Sequence, residues 1–237
     1  MRAARVGRDY NRRLGKSVSG RLYRLLAGPP GLMLVNTPAF KLHTELRLKL
    51  ETRLLDLGCG SGALLELLDS RMAFSRPPVG IDLSSRMLSL ANVSRSSLVE
   101  GSGVQLPFAD ESFDLITCGH VAKHLDDRSM LLMLAEMRRV LAFGGIALLW
   151  DFEPTRSRRL NQWNELVITL GVKECNLRGY MKLSAFALEA GFEWVSNAHL
   201  RPFIYPPIPR ASVIMGKAPV GWSEAPHAAA SSTASSP

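Results

Sequence analysis

A glycine-rich turn between two carboxylates is the first feature of this sequence that is suited to binding a ligand. The segment LLDLGCGSG contains Asp56 and, after it, Gly58, Gly60 and Gly62. Glycines let the backbone pass close to a ligand, and a helix that begins after such a turn offers free N–H groups at its positive end. Asp82 ends the next apolar run, VGID, and brings a second carboxylate to the same region.

The two carboxylates discriminate between ligands that a glycine turn can bind. Residues 58–63 also fit the GxGxxA pattern of a dinucleotide-binding turn, so the glycines alone leave a nicotinamide dinucleotide open as an alternative. Asp56, two residues before the first glycine, disfavours a pyrophosphate and favours an ammonium group. Asp82 is placed to accept hydrogen bonds from both hydroxyls of a ribose. Together they favour a ligand with a ribose, an amino-acid tail and no phosphate.

Strand and helix patterns alternate along the middle of the chain. Strands are predicted at 53–57, 79–82, 113–118 and 146–150, and helices at 63–70, from the N-cap Ser84 to about 94, and at 129–141. A further helix at 183–190 and strands at 194–200 and 211–215 follow. This alternation predicts an α/β fold, with a parallel sheet that is covered by helices on both faces. Ligands of such sheets bind at the carboxyl ends of the strands.

Composition limits the class of protein. The 237 residues are 46% hydrophobic and 21% charged, which is enough apolar surface for one domain with a full core. Three scattered cysteines form neither a disulfide framework nor a zinc-binding CxxC pair, so we expect a reducing, cytoplasmic setting and no metal site. No apolar run approaches ~18 residues, so no transmembrane helix is expected.

The positive charge is concentrated at the start of the chain. Residues 1–25 hold eight basic side chains and one acid, which is +7 of the net charge of +8. Three interpretations are open: a solvated amphipathic helix, a surface for anionic lipid or nucleic acid, or a transit peptide that directs the protein to an organelle. We expect residues 1–38 to form a basic helical segment that covers the site, 39–218 the main domain, and 219–237 a disordered tail.

Four segments, taken in order, resemble a known family. LLDLGCGSG, VGIDLS, LPFADESFD and RRVLAFGG resemble the successive motifs of class I S-adenosylmethionine (SAM)-dependent methyltransferases. The subgroup that is most similar is the type-11-like methyltransferases of small molecules and quinone lipids. The resemblance spans about residues 40–217. It implies a Rossmann-like sheet of seven mostly parallel strands with one antiparallel strand near the edge, and SAM as the cofactor.

The resemblance also implies roles for individual residues. Gly58, Gly60 and Gly62 lie under the methionine part of SAM, and Asp56 anchors their turn and helps to hold the amino group. Asp82 binds the ribose.

The adenine end of the site differs from the family pattern. By resemblance, Leu83 and Met87 flank the adenine. Ser102 stands where the family often has an aspartate that accepts from the adenine amino group. We expect the Ser102 hydroxyl and the Gly103 N–H to take its place. Cys118 closes the fourth strand at the carboxyl edge.

Methyl transfer requires alignment of nucleophile, methyl and sulfur, and it requires a base when the nucleophile carries a proton. His120, directly after the fourth strand, is the best-placed candidate, followed by Asp151 at the end of the fifth strand. His124 and His199 are the other candidates.

The acceptor is expected to be a small, hydrophobic or aromatic molecule. The variable insertion at 153–182 is rich in apolar residues and is expected to cover the substrate. Two alternatives stay open. The basic start could dock an RNA or a membrane lipid as the substrate. Ser102, in place of the usual acid, could also mark an inactive methyltransferase fold that serves as a binding module.

Overall fold

The computed structural model describes residues 42, 48–91, 93, 95–162, 176–200 and 210–218. The predicted basic segment at 1–38 and the tail at 219–237 lie outside the described residues, as do residues 163–175 of the predicted insertion. The strands are β1 (Leu54–Leu57), β2 (Val79–Asp82), β3 (Ser97–Glu100), β4 (Phe113–Gly119), β5 (Leu141–Phe152), β6 (Trp194–Asn197) and β7 (Arg210–Gly216). The α-helices with full bounds are α1 (Ala63–Met72), α2 (Ser85–Leu88), α3 (Asp127–Val140) and α4 (Tyr180–Glu189).

The seven strands form one sheet in the order β3-β2-β1-β4-β5-β7-β6. All neighbours from β3 to β5 are parallel, and β7 runs antiparallel to both β5 and β6. This confirms the predicted α/β fold with one antiparallel strand near the edge. The switch point lies between β1 and β4, where the chain leaves one half of the sheet for the other, and ligands of open α/β sheets bind there.

Two apolar clusters cover the two faces of the sheet. The first includes Met130, Met133, Leu134 and Met137, which lie at helical spacing along α3 and are fully buried. The second contains Leu64, Leu65 and Leu68 of α1, with Leu54, Leu115 and Trp150 of the sheet. Alternating strand residues supply the two clusters, as the period of two along a strand requires. The central strands are therefore buried on both sides.

Three elements differ from the prediction. The helix after Ser84 ends at Leu88, well short of residue 94, although the Ser84 hydroxyl does accept a hydrogen bond from the Met87 N–H as an N-cap. Strand β3 was not predicted from the sequence. It lies at the edge of the sheet, so its residues are half-buried or exposed and show no clear pattern of burial. Strand β5 begins at Leu141 instead of the predicted residue 146, and it includes Gly144 at a φ of +74°, where an irregularity in pairing accommodates it.

No helix within the described ranges is long and apolar enough to cross a membrane.

Two leucines of α3 that differ in burial provide a matched test of core packing. Leu134 is fully buried and Leu132, two residues earlier, is 47% exposed. Leu134→Ala is expected to lower the free energy of unfolding by about 2–5 kcal/mol because it leaves a cavity. Leu132→Ala is expected to change it by less than ~0.5 kcal/mol. Urea unfolding followed by circular dichroism measures both, and equal effects would contradict this packing.

Candidate active site

The glycine turn after β1 is fixed against the end of β2. The N–H groups of Gly58 and Cys59 both donate to the Ile81 carbonyl, at 2.7 and 3.1 Å. Gly58 has a φ of +76°, and a Cβ there would overlap the Val121 side chain. Glycine is therefore required at Gly58 both by the backbone conformation and by the close approach of the segment after β4.

Asp82 is held between the glycine turn and α2. Its Oδ2 accepts from the Gly60 N–H at 2.9 Å and its Oδ1 from the Ser84 N–H at 2.8 Å. Burial raises the pKa of Asp82, and backbone N–H groups, including those of Ser84 and Gly60, oppose that rise. The carboxylate is thus fixed in one orientation at the carboxyl end of β2.

A single cleft runs along the carboxyl ends of β1, β2 and β4. The cleft and its open mouth together hold about 970 Å³ of empty space, part of which is open solvent. Eight of the twelve residues that were assigned to the cofactor or ranked first or second as base line it: Gly58, Gly60, Asp82, Leu83, Met87, Ser102, Gly103 and His120. The cleft therefore joins the region predicted for the cofactor to the region predicted for catalysis.

The other four of these twelve residues do not line this cleft. Asp56 is buried and accepts a hydrogen bond from the Thr117 hydroxyl at 2.7 Å. Burial raises the pKa of Asp56 to about 7, although the Thr117 hydrogen bond lowers it. Gly62 is the N-cap of α1, and Cys118 is fully buried. Asp151, which we expected at the pocket edge, lies behind His120 and is 2% exposed.

The Ser102 hydroxyl is used within its own turn. Its Oγ accepts a long hydrogen bond, 3.4 Å, from the Val104 N–H, and its carbonyl accepts from Gln105 at 3.1 Å. A Cβ on Gly103 would lie 2.9 Å from the Leu57 side chain, so this turn packs tightly under the cleft. The roles of Ser102 and Gly103 toward an adenine stay predictions.

His120 lies on the opposite wall, directly after β4. Its backbone is left-handed, with a φ of +60°, and its N–H donates to the Trp150 carbonyl at 2.8 Å. Its ring stacks at a tilt on Phe152, with 4.6 Å between the ring centres. A non-glycine residue in this conformation is held there by its surroundings, and such strain is concentrated at functional sites.

Asp151 lies beside both His120 and Lys123. Its Oδ1 is 3.6 Å from the His120 Nδ1 and 3.6 Å from the Lys123 Nζ. Its Oδ2 accepts from the Lys123 backbone N–H at 2.8 Å. Lys123 was not among the predicted residues, because the segment HVAKHLDD offers no sign that a lysine between two histidines is buried.

The charges of this group follow from its surroundings. Burial alone would raise the pKa of Asp151, but the Lys123 ammonium and the neighbouring His120 hold it below the ordinary value for an aspartate. Burial lowers the pKa of His120, and Lys123 lowers it further, while Asp151 opposes both effects. At neutral pH the arrangement is therefore a neutral imidazole next to an ionised carboxylate.

The other two histidine candidates differ in their positions. His124 lines the same cleft, and burial lowers its pKa to about 3. His199 is exposed and does not line the cleft. A base with a pKa as low as that of His124 is weak, so His120 is the better proton acceptor of the two that line the cleft.

Arg178 holds the turn that carries these groups. Its side chain is 2% exposed, and it donates to the carbonyls of Ala122 and Leu125 at 2.7 Å each. It also pairs with Asp127 at 2.7 Å. Asn176, two residues earlier, donates from its backbone to the Lys123 carbonyl at 2.8 Å. The last part of the predicted insertion thus fixes the turn after β4, a link that no local pattern could reveal.

Comparison with known proteins gives one family and several relatives. Residues 55–149 match the family described as "Methyltransferase domain". The chain is 32% identical over 167 residues to the chloroplastic 2-phytyl-1,4-beta-naphthoquinone methyltransferase of Arabidopsis thaliana, covering 58% of this chain and 63% of that one. It is 36% identical over 100 residues to a demethylmenaquinone methyltransferase of Staphylococcus aureus, covering 40% and 41%. The chain thus spans less than two thirds of the length of these relatives.

Solved structures share the fold. Human N-acetylserotonin methyltransferase in complex with SAM superposes with a TM-score of 0.61 at 18% identity, covering 77% of this chain and 52% of that one. At this identity the likeness concerns the fold alone. The motifs of the cleft, the sheet order and the match over residues 55–149 agree with one another. Residues 55–149, which contain all the residues that line the cleft, are thus similar to the methyltransferase-domain family, and the sheet around them has the fold of solved methyltransferases.

Proposed function

We propose that this chain transfers a methyl group from SAM to a small hydrophobic acceptor of the naphthohydroquinone type. One observation carries the proposal: a single cleft has the Asp82 carboxylate at one end and a neutral His120, supported by Asp151, at the other. The relatives named for naphthoquinone and demethylmenaquinone supply the class of acceptor.

The residues on the glycine side fit a SAM molecule. Gly60 has no side chain, and a Cβ at this position would lie only 3.1 Å from the Met87 Cε. Because that Cβ is absent, the methionine part of a ligand can lie close to the backbone of the turn. Asp82 presents a fixed carboxylate that suits two ribose hydroxyls, and Leu83 and Met87 offer apolar surface to an adenine. When bound, SAM supplies an electrophilic methyl group on a sulfonium.

The other end of the cleft suits an apolar acceptor with an ionisable hydroxyl. The segment after β4 adds apolar side chains to the cleft, namely Val121, Leu125 and Met133. Neither ring nitrogen of His120 has a hydrogen-bond partner among the described residues, so the imidazole keeps its capacity to take a proton from the acceptor. The Asp151 carboxylate, on the Nδ1 side, stabilises the imidazolium that results.

Asp82 provides the test of the cofactor site. Asp82→Asn is expected to weaken binding of S-adenosylhomocysteine at least about tenfold, because it removes a charge-assisted acceptor for the ribose hydroxyls. Isothermal titration calorimetry measures the affinity. Asp110→Asn is the control, because the Asp110 side chain is 73% exposed and does not line the cleft. Unchanged affinity in Asp82→Asn would contradict the placement of the ribose.

His120 provides the test of proton transfer. In an assay with SAM and 1,4-naphthohydroquinone, His120→Asn is expected to lower kcat about 10²–10⁴-fold and to leave the affinity for S-adenosylhomocysteine unchanged. Because its pKa is lowered, His120 is neutral at pH 7, so wild-type kcat should be level near neutral pH and fall only in acid. His199→Asn is the control. If the His120→Asn enzyme kept the wild-type kcat and the same fall of kcat at acid pH, His120 would be excluded as the base.

A further inference from the structure

We propose that Lys123 binds the oxygen anion of the acceptor, so that the acceptor reacts as a phenolate. This inference rests on the proposed methyltransferase function and deepens it, because it selects phenols and hydroquinones over acceptors that cannot ionise.

The position of Lys123 is unusual for a lysine. Its side chain is 8% exposed, yet the residue lines the cleft next to His120. Lysine is rarely buried without a function for its charge or a close partner, because desolvation of an ammonium is costly. The partner is Asp151, at 3.6 Å.

The two charges of this pair are placed unequally with respect to the cleft. Lys123 lines it, whereas Asp151 does not. The positive member therefore belongs to the wall of the cleft, and the negative member lies behind it. An anion in the cleft would meet the ammonium first, and the buried setting would strengthen their attraction.

The Lys123 ammonium has hydrogen-bonding capacity to spare. It has three N–H groups, and one of them donates to the His120 carbonyl. The Asp151 carboxylate is just beyond hydrogen-bond distance, and the Phe152 ring centre is 5.5 Å away. An oxygen anion next to the His120 ring would thus have a donor within the described wall of the cleft.

Lys123 and His120 would then divide one reaction between them. The acceptor O–H bond breaks, its proton passes to the His120 Nε2, and the electron pair remains on the oxygen and its ring, next to Lys123. That anion would form a bond to the methyl carbon as the methyl–sulfur bond broke with its electron pair left on sulfur. If a ring carbon took the methyl group, it would then lose its own proton to water and restore the hydroquinone. No oxidant or further reactant is needed.

Two matched probes separate this role from a purely structural one. 2-Hydroxy-1,4-naphthoquinone is an anion at neutral pH, and 2-methoxy-1,4-naphthoquinone is its neutral analogue. With S-adenosylhomocysteine bound, the wild type is expected to bind the anion more tightly. Lys123→Met should weaken anion binding about ten- to a hundredfold and change binding of the neutral analogue less than about twofold. Lys123→Arg should restore most of the preference, and Lys182→Met, at a 54% exposed position on α4, is the control.

A second variant guards against misfolding. Lys123→Met leaves the buried Asp151 carboxylate without its ammonium, so the double variant Lys123→Met with Asp151→Asn removes both charges. Retained affinity for S-adenosylhomocysteine shows that each variant is folded. Loss of the anion preference in the folded double variant supports the proposal.

Two other outcomes would overturn it in distinguishable ways. A wild type that binds S-adenosylhomocysteine but binds both probes equally excludes an anion site at Lys123 and leaves methyl transfer intact. A folded wild type that fails to bind S-adenosylhomocysteine removes the proposed function and this inference with it.

Discussion

The cofactor half of the site depends on the contact between the glycine turn and the Ile81 carbonyl. Two consecutive N–H groups, those of Gly58 and Cys59, donate to this one oxygen, which draws the turn after β1 onto the end of β2. The same contact brings Gly60 within hydrogen-bond distance of Asp82. Asp82 is therefore held by the backbone on both sides, by Gly60 and by Ser84. A carboxylate that is fixed before the ligand arrives loses little entropy on binding.

The other half depends on a buried charge. Lys123 and His120 hold the pKa of Asp151 below its ordinary value in spite of burial, and the carboxylate lies 3.6 Å from the His120 Nδ1. Arg178 fixes the turn on which Lys123 lies through the Ala122 and Leu125 carbonyls. The polar groups at this end of the cleft are thus positioned by contacts that run back into the protein, while the cleft itself presents apolar side chains and a few polar tips. This is the distribution expected of a site that takes a hydrophobic molecule with one reactive polar atom.

The sequence predicted the parts of this arrangement that are local. The turn from Gly58 to Gly62, the strand that ends at Asp82 and the position of His120 after β4 all lie within short segments whose residue types carry the information. Strand β3 escaped prediction because an edge strand has no clear pattern of burial. Lys123 and Arg178 were not predicted for a different reason. Lys123 contacts Asp151, 28 residues away, and Arg178 contacts residues 51–56 positions away, whereas charged residues in a sequence are expected at the surface. Asp151 was rightly placed at the end of β5, but its depth behind His120 follows from packing that the sequence does not display.

The central claim is that this cleft brings a SAM methyl group to a naphthohydroquinone. Incubation of the wild-type chain with SAM that carries a deuterated methyl group and with 1,4-naphthohydroquinone, followed by mass spectrometry of the extracted quinones, tests it most directly. The account predicts a product that has gained one deuterated methyl group, in an amount that grows with enzyme and time. A folded chain that binds S-adenosylhomocysteine and yet forms no labelled product would contradict the proposed acceptor class. A folded chain that does not bind S-adenosylhomocysteine would contradict the proposed function as a whole.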